Sequence, residues 1–165
     1  MLTPYHIMPP ESKVWIYQAN RSFTQEEIPE IVDILENFVD QWKSHQRDVK
    51  GYGAMYHRRF IVLMADEAAC DVSGCSIDST VKLIRELGEA YQVDFFDRMK
   101  VCYKITDAMV GSMPLQQMQE MLDQGRINEN TIVFNNLVST KAGLETEWEV
   151  PLKSSPFARF IQLPA

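Results

Sequence analysis

Between residues 28 and 42 the apolar side chains fall on one stripe: Ile28, Ile31, Val32, Leu35, Phe38, Val39 and Trp42. Steps of three, four and seven residues are the period of an amphipathic helix. Thr24 followed by Glu27 has the sequence form of a capping box, in which each side chain satisfies the other's backbone N–H, so the helix is expected to start there. Pro29 lies in the first turn, where a missing N–H costs least. The helix is expected to end near His45.

The stretch Phe60-Ile61-Val62-Leu63-Met64-Ala65 behaves differently, with no polar alternation at all. Such a run predicts a strand covered on both faces and central in its sheet. Gly51-Tyr52-Gly53 is taken as a break before it, and the strand as starting near Met55. After a polar loop from Asp66 to Gly74, a helical stripe returns in Ile77, Val81, Ile84, Leu87 and Tyr91. Lys82, Arg85, Glu86 and Glu89 take its outer face.

Shorter elements flank these two. Val14-Trp15-Ile16-Tyr17 is β-branched and aromatic and predicts a strand. From Met99 to Ile105 the pattern alternates, and Thr106-Asp107 is placed to turn the chain into a partner strand, Ala108 to Met113. Pro114 suits the first position of a helix with Leu115, Met118, Met121 and Leu122 on its apolar face, and Gly125 suits its end. Thr131 to Phe134 predicts one more strand. The predicted order is β-α-β-α-β-β-α-β: an α/β or α+β fold, with helices packed on a single mixed β-sheet. The first seven elements match a thioredoxin-like fold in order alone, without its Cys-x-x-Cys. Residues 1–165 are expected to form a single domain, with an irregular arm over 1–12 and a docked tail over about 140–165.

Composition narrows the function. With 45% hydrophobic and 24% charged residues, the chain has the make-up of a soluble globular domain. A formal net charge of -7 argues against binding a phosphate backbone, so no nucleic acid is expected. No apolar run is long enough to enter a bilayer as a spanning helix, and the N-terminus shows no secretory pattern. Three cysteines suit free thiols in the cytoplasm better than a disulfide framework.

The motifs exclude more than they assign. None of the seven glycines begins a Gly-x-x-x-x-Gly-Lys phosphate loop. His6, His45 and His57 are scattered, so no metal site and no cofactor is expected. What remains is Cys75, where the second long helix opens. Free N–H groups and the helix dipole favour a thiolate there, and a buried structural cysteine is the alternative. As a catalytic nucleophile, Cys75 would have Ser73, Gly74 and Ser76 around it to bind an anion. Asn135 and Asn136 end an apolar strand, where Asn is depleted. Either the pair hydrogen-bonds a ligand or a neighbouring loop at the sheet edge, or it closes a bulge. If the strands ending at Ala65 and near Asn135 are parallel and adjacent, both groups share one sheet edge. Lys43, Arg47, Lys50, Arg58 and Arg59 form a locally basic segment that either attracts an anion or is solvated.

Three stretches together, Val14-Trp15-Ile16-Tyr17-Gln18-Ala19-Asn20-Arg21, Ser73-Gly74-Cys75-Ser76-Ile77-Asp78 and Asn130 to Val138, resemble a family of short uncharacterised bacterial proteins. Trp148-Glu149-Val150-Pro151 and Phe157-Ala158-Arg159-Phe160 extend the resemblance over nearly the whole chain. Some members carry the label "ABC transporter ATPase", a chemistry that needs the phosphate loop this sequence lacks. The resemblance therefore implies a bacterial protein and no mechanism. The expectation is a noncatalytic binding or interaction domain, able to pair with itself. The alternative is a small thiol-dependent enzyme using Cys75 on an anionic substrate.

Overall fold

The computed structural model describes residues 1–68 and 74–164, without the side chains of residues 74–76. The chain forms two compact units, Met1–Phe96 with Ser139–Ala142, and Asp97–Val138 with Gly143–Ala165. The class is mixed α/β, as the patterns predict, with four α-helices among the described residues.

In the first unit the helix predicted from Ile28 to Trp42 is α1, Glu27–Asp40. The capping box ahead of it is formed: Thr24 N donates to Glu27 Oε1 at 2.9 Å, and Glu27 N to Thr24 Oγ1 at 3.2 Å. The helix stops short of His45 because the chain enters a small hairpin, β2 (Lys43–Ser44) and β3 (Arg47–Asp48), turned by positive φ at His45 and Gln46.

The strand expected from Met55 to Ala65 is instead a hairpin of β4 (Lys50–Tyr56) and β5 (Phe60–Asp66). Its turn lies at His57 and Arg58, with φ of 54° and 57°, closed by Arg59 N donating to Tyr56 O at 3.0 Å. Neither residue carries the glycine signal by which such turns are found. Gly51 and Gly53 belong inside β4. A Cβ on them would come within 2.9 Å and 3.0 Å of Val39 on α1, so they let the helix approach the strand.

With β1 (Lys13–Gln18), the sheet order is β1-β5-β4, and both pairings of β5 are antiparallel. The apolar run is therefore the central strand, and Phe60 to Ala65 are all 0% exposed. Helix α2 (Gly74–Tyr91) lays Ile84 and Leu87 in one core with Ile61, Leu63, Leu35 and Val39.

In the second unit the predicted hairpin is present as β6 (Lys100–Thr106) and β7 (Met109–Pro114). A 3-10 turn, Leu115–Gln117, precedes α3 (Met118–Asp123). The end of α3 is a Schellman cap: Gly125 at φ 73° lets Arg126 N reach Met121 O at 2.9 Å. Two further strands, β8 (Ile132–Phe134) and β9 (Glu149–Pro151), complete the sheet β7-β6-β8-β9. Helix α4 (Lys141–Glu147) and β9 have no counterpart in the predicted order.

The single mixed sheet is thus corrected. Three sheets are present among the described residues, and their ladders are antiparallel. A strand has two edges, and β1 and β4 occupy both edges of β5. The later strands pair among themselves, so the one-sheet arrangement implied by a thioredoxin-like order is not formed.

Candidate functional site

The strand-loop-helix stretch nominated by the sequence begins where β5 ends. Asp66 faces Lys50 across the β4–β5 pair, and its Oδ1 accepts a hydrogen bond from Ala68 N at 2.9 Å. Glu67 forms an ion pair with Lys13 at 3.3 Å. Gly74 is the first residue of α2, which places Cys75 and Ser76 in the first helical turn. Ser73 and Cys70, and the side chains of Cys75 and Ser76, lie outside the described residues. Cys102, the remaining cysteine, is fully buried.

Asn135 and Asn136 belong to the second unit, directly after β8. Asn135 N donates to Trp148 O at 2.7 Å, and Asn135 Oδ1 accepts from Leu137 N at 3.1 Å. Asn136 Oδ1 accepts from the indole Nε1 of Trp148 at 2.9 Å. The pair therefore fastens the end of β8 to the residue before β9. Parallel adjacency of β5 and β8, the expectation that joined these asparagines to Cys75, is overturned. The two strands lie in different sheets, each with antiparallel partners.

The basic segment resolves residue by residue. Arg58 donates from Nε and Nη2 to Phe23 O at 3.2 and 3.1 Å. Arg59, 6% exposed, donates from Nε to Ala19 O at 3.1 Å. Both arginines tie the strained β4–β5 turn to the loop after β1. Lys43 pairs with Asp48 across the β2–β3 hairpin at 3.6 Å.

Other polar clusters carry no sequence signal. Arg21 forks onto Glu27 with two bonds of 2.9 Å and reaches Tyr91 O at 2.7 Å, linking the start of α1 to the end of α2. That fork, followed by the Thr24 N–H, holds the Glu27 carboxyl down at about 2. Lys141 is buried, with Nζ donating to Tyr5 O at 3.0 Å and Met8 O at 2.8 Å while lying over the Tyr5 ring. Tyr52 and Tyr56 share a hydrogen bond of 2.9 Å. Burial first, and that bond second, push the Tyr56 phenol well above its usual range. Their partners are far apart in sequence, so no local spacing reveals Arg21 with Tyr91 or Lys141 with Tyr5.

Among the described residues no group of His, Cys, Asp or Glu is placed to hold a metal ion, and no helix is long and apolar enough to cross a membrane. Comparison of the chain with protein-family models, curated proteins and solved structures gave no match.

Proposed function

We propose that this protein is a noncatalytic binding or interaction domain of the bacterial cytoplasm. One observation carries the proposal. Four of the described polar side chains that the sequence nominated for chemistry hold the protein's own fold: Arg58 and Arg59 bind backbone carbonyls, and Asn135 and Asn136 bind Leu137 N and the Trp148 indole. Groups so committed brace a turn and a strand end. Pairing with a second copy is the simplest partner for such a domain, and the acidic balance disfavours nucleic acid. ATP turnover lies outside this proposal, because the sequence has no phosphate loop.

The competing proposal is a thiol-dependent enzyme built on Cys75, with Ser73, Gly74 and Ser76 binding an anionic substrate. The start of α2 at Gly74 favours it, since the helix dipole then acts on Cys75. Iodoacetamide alkylation of the folded protein, followed over pH by peptide mass spectrometry, separates the two. Buried Cys102 is expected to stay unlabelled. A Cys75 rate that rises with pH toward the ordinary thiol value of about 8.5 supports the binding domain. A rate that is already at its plateau below neutral pH overturns it in favour of the enzyme.

A further inference from the structure

Trp42 is 3% exposed, and its indole Nε1 has no hydrogen-bond partner among the described residues. Trp148 is equally buried but donates its Nε1 to Asn136. A buried donor without an acceptor costs stability, so such an atom in a native core calls for a cause. Trp42 lies just after α1 and packs with Val49 and Ala65, at the end of the sheet where β5 stops. Its ring meets that of Trp15 on β1 at 5.9 Å between centroids. A Cβ on Gly51 of β4 would meet the indole at Cε3, 3.2 Å away and on the ring edge opposite Nε1. The N–H is therefore turned away from β4.

On that side lies the start of α2. Val39 of α1 meets Gly51 and Gly53, which sets α1 over β4. Tyr17 Oη and Thr80 Oγ1 are 3.4 Å apart, which sets α2 over β1. Arg21 joins Glu27 at the start of α1 to Tyr91 O at the end of α2, so the two helices run in opposite directions. The end of α1 accordingly lies beside the start of α2, and β2, the next element after Trp42, touches α2. From Thr80 back to Cys75 the helix recedes by about 7.5 Å. From Tyr17 back to Trp15 the strand recedes by about 6.6 Å. The first turn of α2 is thus level with the Trp15–Trp42 pair, and the Trp42 N–H faces it.

The opening N–H groups of a helix have no intrahelical acceptor and carry the positive end of its dipole. An indole N–H can only donate. Donors of both kinds at one place match an oxyanion. One charge is favoured over two, because Asp66 and Glu67 lie at the same end of β5 and Lys13 there is already paired with Glu67 at 3.3 Å. We propose that Trp42 Nε1 and the N-terminus of α2 form a binding site for a small monocarboxylate, with one oxygen on the indole and the charge at the helix start. The site gives the binding domain a ligand class and rests on that reading, because a thiolate at Cys75 would place a like charge at the same spot. Alkylation of Cys75 judges that reading, whereas the titration below judges the ligand alone.

The test is an NMR titration of the isotope-labelled full chain with acetate and, separately, with inorganic phosphate and with methylammonium, at constant ionic strength. The indole signals are assigned on the native chain. Acetate is expected to move the Trp42 indole proton downfield until it saturates, while the Trp148 indole proton, held by Asn136, stays nearly still. Trp42→Phe keeps a ring in the core and removes the N–H. It should weaken acetate binding roughly tenfold or more, as read from the backbone amides of α2, because a hydrogen bond to a charged group is lost. If that variant does not fold, the native-chain titration decides alone. A Trp42 indole proton that ignores acetate or never saturates, the latter being an adventitious ion only, would overturn the proposal. So would equal affinity in a folded Trp42→Phe, tighter binding of phosphate, or the same shift with methylammonium.

Discussion

Strands β5 and β8 are both apolar, yet they are held by different means. Each residue of β5 from Phe60 to Ala65 has a partner on both sides, in β1 and in β4. Its side chains are all fully buried. By contrast β8 pairs with β9 over Ile132 to Phe134 and with β6 at Tyr103↔Val133 alone. Its core is a small, methionine-rich cluster with Met113, Met118 and Met121 around Val133. Where the ladder is short, a side chain adds to it: Asn136 fastens the strand end to the Trp148 indole, beside the backbone bond from Asn135 N to Trp148 O. A long ladder with two buried faces stands by burial, whereas a short one depends on a few directed bonds.

The largest expected effect follows from the burial side of this contrast. Leu63→Ala leaves a cavity in a strand whose residues Phe60 to Ala65 are fully buried and should cost about 2–5 kcal/mol in urea unfolding. A loss smaller than that of the tie variant in the second unit would break the comparison. That variant is Asn136→Ala, which takes the acceptor from the buried Trp148 indole and should cost about 1–3 kcal/mol. Asn136→Asp keeps an acceptor there and should recover part of the loss, as read by the same unfolding midpoint. No recovery would mean that the indole bond does not hold β8.

The smallest effect concerns the charged clasp at the start of α1. Glu27 is held at about 2, below its ordinary value of 4.5, by the Arg21 fork and the Thr24 N–H. A lowered folded-state value means that the contribution is fully present above 4.5 and is lost as pH falls through about 2. The difference in Tm between the native chain and Glu27→Gln should therefore be greatest near neutral pH and close over that window. A difference that does not change with pH would assign the effect to helix propensity, and the clasp would add nothing to the burial that holds the first unit.

The sequence by itself determined the features whose cause lies within a few residues. The capping box at Thr24 and Glu27 forms because its donors and acceptors are three positions apart. Gly125 ends α3 because a positive φ there suits a residue without Cβ. Phe60 to Ala65 is central because a strand apolar on both faces is excluded from water on both. Partner choice was decided only by the tertiary structure. Nothing local says that Gly51 and Gly53 make room for Val39, or that Arg58 and Arg59 steady a turn without glycine by reaching back to Phe23 and Ala19. Nor does Asn135-Asn136 announce Trp148, twelve residues beyond Asn136, as the group it holds. Period and capping act along the chain, where spacing is constant. Strand pairing and side-chain ties act across distances set by the folded backbone, which no local pattern encodes.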